Sequence, residues 1–143
     1  MPSIEAAAAP ARSGVDKLLY WLMLLIAGST VAAGVLQVIV PGFVLDLLDA
    51  SSTPATRHFF AIVGMFMGVI GAAVLHALLT PGDHRVLLLW AGVQKFGAFI
   101  AVGLGVMNDI FSALGIAVAL NDLLSAGVIL WYRRSGASGV TDR

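Results

Sequence analysis

Four stretches of this chain are long, apolar and almost free of charge, and that pattern limits the fold more than any other feature. Residues 18–40 run for 23 positions without a charged side chain, enough for a helix to cross a hydrocarbon core of about 30 Å with some tilt. Residues 59–79 repeat the pattern, 86–106 do so with a single lysine, and 110–132 with a single aspartate. The expectation is an all-α, polytopic membrane protein, a bundle of four transmembrane helices. Composition agrees: 59% of the 143 residues are hydrophobic and only 11% charged, where a soluble domain carries about a quarter charged.

The remaining composition excludes several functions. A length of 143 residues allows one domain, and a formal net charge of zero argues against a nucleic-acid partner, which calls for a basic patch. There are no cysteines, so thiol redox chemistry, disulfides and thiolate metal sites are all ruled out.

Residues 1–15 are Ala-rich, carry Pro2 and Pro10, and read as a loose tail. A cleaved signal peptide competes for the first apolar run, since Ala32, Ala33 and Gly34 follow its Leu-rich part, but the run is too long and its basic residues too few. Pro41 and Gly42 end or kink that helix, and 43–48 forms a short apolar piece expected at the interface. Thr53 and Pro54 make a helix start, a capping hydroxyl followed by a proline at the first helical position. Thr80, Pro81, Gly82 and Asp83 form a turn, with Asp83 placed to cap the third span. Asn108 and Asp109 are the polar break before the fourth, so spans three and four form an antiparallel hairpin. Residues 135–143 read as a disordered tail.

Four crossings put Arg12, Lys17, Arg85, Arg133, Arg134 and Arg143 on one side and Arg57 alone on the other. That asymmetry calls for both termini in the cytoplasm. Tyr20, Trp21, Trp90, Trp131 and Tyr132 gather towards the same face, as an aromatic belt does. Close helix approach in lipid calls for small residues, and Gly64, Gly68 and Ala72, then Gly97, Ala101 and Gly105, then Gly115 and Ala119 recur at spacing four. Such ridges suit a compact bundle and equally a homo-oligomer or a larger membrane complex.

Two polar couples interrupt the last two spans: Gln94 with Lys95, and Asn121 with Asp122. Lys95 lies as far before the centre of the hairpin turn as Asp122 lies after it, so the two should meet at one depth, the middle of the bilayer. An unpaired Lys or Asp there costs about 2.5 to 3.5 kcal/mol on insertion scales, which favours pairing inside the bundle. Ala91, Gly92 and Ala98 flank Lys95 at helical spacing, and Ala119, Ser125 and Ala126 flank Asp122, leaving room for a salt bridge. Gln94 and Asn121 are then expected to satisfy the pair or to reach Ser29 and Thr30 at comparable depth. The pair reads as a clamp on helix register, as part of an ion or proton path, or as a polar anchor in a ligand pocket.

His76 and Gln37 are secondary candidates. A lone membrane histidine can ligate haem or relay a proton, but without a second axial candidate a hydrogen-bonded packing role is the simpler expectation. His58 and His84 read as interfacial residues, and Met23, Met65, Met67 and Met107 as gap-fillers. No phosphate loop, metal-binding His pair or nucleophile elbow occurs, so no cofactor or metal is called for and enzymatic chemistry has no support.

Four short-looped helices, a Pro/Gly break at Pro41 and Gly42 after the first, and polar positions in the last two resemble the layout of the DoxX-like small bacterial membrane proteins. The resemblance covers 18–132 as a layout, with no motif carried over residue by residue. It implies an accessory membrane component associated with redox or stress systems. The functional expectation is therefore a non-enzymatic accessory or assembly protein whose first partner is the lipid bilayer. The alternatives are a small transporter or proton conductor using Lys95 and Asp122, and a membrane enzyme or binder of a lipid-like or quinone-like molecule.

Overall fold

A computed structural model describes residues 14–135, and every described element is helical. The order is α1 (Gly14–Ile39), α2 (Pro41–Leu47), α3 (Pro54–Leu79), α4 (Arg85–Met107) and α5 (Leu114–Arg134). Among them α1, α3, α4 and α5 are long and apolar enough to cross a membrane. The expected tails, 1–15 and 135–143, lie almost wholly outside the described residues.

Local chemistry sets the boundaries. Pro41 has no N–H to continue α1, so the chain restarts there as α2, with the proline in its first turn. Thr53 caps α3, its hydroxyl accepting from the Thr56 N–H at 3.2 Å ahead of Pro54. Asp83 Oδ1 accepts from the Arg85 N–H at 3.0 Å at the start of α4. Two aspartates close helices from the left-handed region, Asp49 at φ 54° after α2 and Asp109 at φ 55° after α4. Each lets the next residue donate backward, Ala50 to Leu45 and Ile110 to Gly105, which satisfies carbonyls left over at the helix end.

That second closure moves the start of the last helix. The sequence places it at 110, yet Ile110 and Phe111 fold into the turn and α5 begins at Leu114. Phe111 lies across Gly105, where any side chain would collide with the ring, and the Ser112 N–H donates to Leu48 O at 2.8 Å. An apolar residue that covers a glycine in the preceding helix is spent on the turn and is lost to the helix that follows.

The four long helices form two antiparallel pairs. In the first, α1 meets α3 almost backbone to backbone: a Cβ on Gly34 would lie 2.5 Å from Gly64 O, and one on Gly64 would lie 2.5 Å from the Gln37 Cβ. Gly71 is equally confined by Val31 and by Ala27 O. The working ridge is thus Gly34 against Gly64 and Gly68, with Gly71 against Val31 and Ala27, and Ala72, expected on the ridge, faces outward. In the second pair, α4 and α5 pack through Gly92 against Leu130 and Gly115 against Val106. Gly97 and Ala101 also face outward, with nothing near Gly97 for a Cβ to meet.

The pairs join at the end holding both described termini. Leu19, Met23 and Ala27 of α1, Val74 of α3, Leu88 and Ala91 of α4, and Ile129 and Tyr132 of α5 form one buried cluster there. Arg133 Nε donates to Arg85 O at 3.0 Å, which fastens the end of α5 to the start of α4. Trp21, Trp90 and Trp131 ring this end at 67%, 61% and 58% exposure, the placement an amphipathic ring takes where lipid meets water. At the opposite end Leu45 of α2 is buried while Phe43 and Leu47 face outward, and Arg57 lies over Gly42, tying α2 to α3.

Candidate functional site

Lys95 and Asp122 meet inside the α4–α5 pair. Lys95 Nζ donates to Asp122 Oδ1 at 2.8 Å, with the residues only 5% and 6% exposed. The surroundings explain how two charged side chains fit between helices. Ala91 and Gly92 below Lys95, and Ala119, Ser125 and Ala126 around Asp122, are all buried and small. The helices stay close along their length, and the volume that a larger neighbour would occupy is taken by the lysine stem. In so apolar a place the two charges neutralise each other, and separating them leaves either one in a medium that cannot solvate it.

The other half of each couple behaves differently. Gln94 is half-buried, and its Oε1 is buried with no hydrogen-bond partner. It borders, with Lys95, Thr30, Gly71, Val74 and Ile129, a cavity of about 10 Å³ where the two helix pairs face each other, room for about one water. Asn121 is exposed on the outside of α5. Neither amide hydrogen-bonds to the ion pair or to α1 among the described residues. Ser29 and Thr30 instead bond their own helix, both hydroxyls donating to Ile26 O, at 3.0 and 2.7 Å. The expected network around the pair therefore contracts to the pair itself. The signal that separates Asn121 from Asp122 is the helix turn of about 100° per residue: with Asp122 facing α4, its neighbour must leave that face.

The secondary candidates lie elsewhere. Gln37 belongs to the α1–α3 contact, where its Nε2 lies 3.6 Å from Met67 Sδ and its buried Oε1 has no partner. His76 is exposed on α3, and its ring makes no hydrogen bond among the described residues, so the expected hydrogen-bonded packing role finds no partner there. His84 lies in the α3–α4 turn with Nε2 at 3.1 Å from Thr80 O, and His58 stands edge-on to Phe59 near the start of α3.

Among the described residues, four apolar spans, a girdle of exposed tryptophans and an enclosed ion pair define a small membrane-spanning helical protein. Compared with known proteins, the chain matches no family model, no curated protein and no solved structure.

Proposed function

We propose that this protein is a non-enzymatic accessory or assembly component of a bacterial inner membrane, with both termini in the cytoplasm and the Lys95–Asp122 pair acting as the register lock of its second helix pair. The observation that carries this reading is the closure of the pair: 2.8 Å between the charged atoms, both residues buried, and beside them space for about one water. A lock of this kind specifies which faces of two apolar helices meet, which lipid by itself leaves undetermined. The excess of basic residues at the end holding the termini supports the orientation. The resemblance of the layout to that of DoxX-like proteins favours an accessory role beside a redox or stress system.

The test is purification of the full chain from its native membrane, with a stoichiometric partner expected to accompany it. Reconstituted alone into liposomes holding a pH-sensitive dye, the protein is expected to pass protons no faster than empty liposomes do. Dissipation of an imposed gradient would overturn the proposal in favour of a second reading, a proton-conducting protein using Lys95 and Asp122. The buried, unpartnered Gln94 Oε1 favours that second reading, because Gln94 and Lys95 border the same small cavity and intramembrane polar groups often mark such routes.

A further inference from the structure

Asn121 stands exposed near the middle of α5, and its amide has no hydrogen-bond partner among the described residues. Hydrocarbon offers an amide neither donor nor acceptor, so a side chain of this kind on the outer face of a span is unsatisfied in the single chain. The residues that share its face recur at alternating spacings of three and four: Leu114, Ala117, Asn121, Leu124 and Val128. That is the seam of a left-handed helix pair, with one polar residue at its centre. Leu114, Ala117 and Leu124 are exposed, Leu124 at 71%, while Val128 turns partly into the core.

We propose that α5 pairs with α5 of a second copy of this chain, Asn121 against Asn121 across a two-fold axis. A carboxamide both donates and accepts, so two identical groups satisfy each other without any further partner. Copies inserted in the same sense run parallel and carry the residue to the same depth, which a chain of different sequence matches only by accident. Ala117, one turn from Asn121, lets the helices come close enough for the amides to reach. A single asparagine in an apolar seam also fixes register and restricts the number of chains. Asp122, the next residue, faces α4 in the ion pair, so the pairing face and the locking face occupy different sides of one helix.

The chain has no cysteine, so Ala117→Cys introduces a single thiol on the seam. Oxidised in native membranes, the full-length variant is expected to form a covalent dimer, while Val69→Cys, exposed on α3, is expected to stay monomeric. Adding Asn121→Leu to Ala117→Cys is expected to lower the dimer about tenfold, equivalent to about 1.4 kcal/mol for the lost interhelical amide contact. Asn121→Gln in the same background keeps the dimer. Circular dichroism confirms that each variant is folded, and Leu124→Cys repeats the experiment if Ala117→Cys is not. Monomers only, a dimer insensitive to Asn121→Leu, or cross-linking from Val69→Cys instead would each overturn the proposal.

Discussion

A lysine in the middle of an apolar helix is tolerated where an opposite charge waits at its own depth, and Asp122 meets that condition for Lys95 at 2.8 Å. Removing one partner is far more costly than removing both, because the survivor keeps its desolvation penalty and loses its counter-charge. Lys95→Met is expected to lower unfolding free energy in lipid or micelles by about 3 to 5 kcal/mol. The double variant Lys95→Met with Asp122→Leu should recover most of that loss, and a double-mutant cycle measured by reversible denaturation checks it. A single substitution with no effect would mean that water reaches the pair. The meeting of these two residues was legible in the sequence, since equal distances from a hairpin turn imply equal depth. The separation of Asn121 from Asp122 was not, because which of two adjacent polar residues faces inward depends on the rotation of α5 about its axis, and packing against α4 sets that rotation.

Between helices, glycine matters where backbones touch, and spacing in the sequence does not say which glycines those are. Gly64, Gly68 and Ala72 form a ridge on paper, and contact with α1 does run through Gly64 and Gly68 against Gly34, but it continues through Gly71 against Val31 while Ala72 faces outward. Gly97 has the same sequence credentials and faces open space. Gly34→Leu or Gly64→Leu is therefore expected to split α1 from α3, costing at least the 1 to 3 kcal/mol typical of overpacking, while Gly97→Leu changes stability little. Thermal unfolding of the three variants in one detergent distinguishes them, and equal losses at Gly34 and Gly97 would discard the assigned faces. The same dependence on contact explains the late start of α5. Ile110 and Phe111 are as apolar as the helix that follows, and the covering of Gly105 by Phe111 takes them into the turn.

Across the molecule, a hydrogen bond between segments closes each end, within the α4–α5 pair at one and between the two helix pairs at the other. Arg133 reaches Arg85 O at the terminal end, and Ser112 reaches Leu48 O at the other. Reporters fused after Arg143 and inserted at 51–52 should accordingly respond from opposite sides of the membrane, the C-terminal one active in the cytoplasm. Activity of the C-terminal reporter outside the cytoplasm alone would reverse the proposed orientation. The class of protein and the number of spans were set by sequence alone, since water rejects an apolar run of 20 residues whatever it packs against. The depth of Lys95 and Asp122 followed from counting along the chain. Only the tertiary structure decided which glycines touch, that Gln94 and Asn121 leave the ion pair unsupported, and that the helix pairs share one buried cluster at the terminal end. In lipid nearly every face of these helices is apolar, so hydrophobicity carries almost no information about which faces meet, and close packing with a buried charge pair settles it.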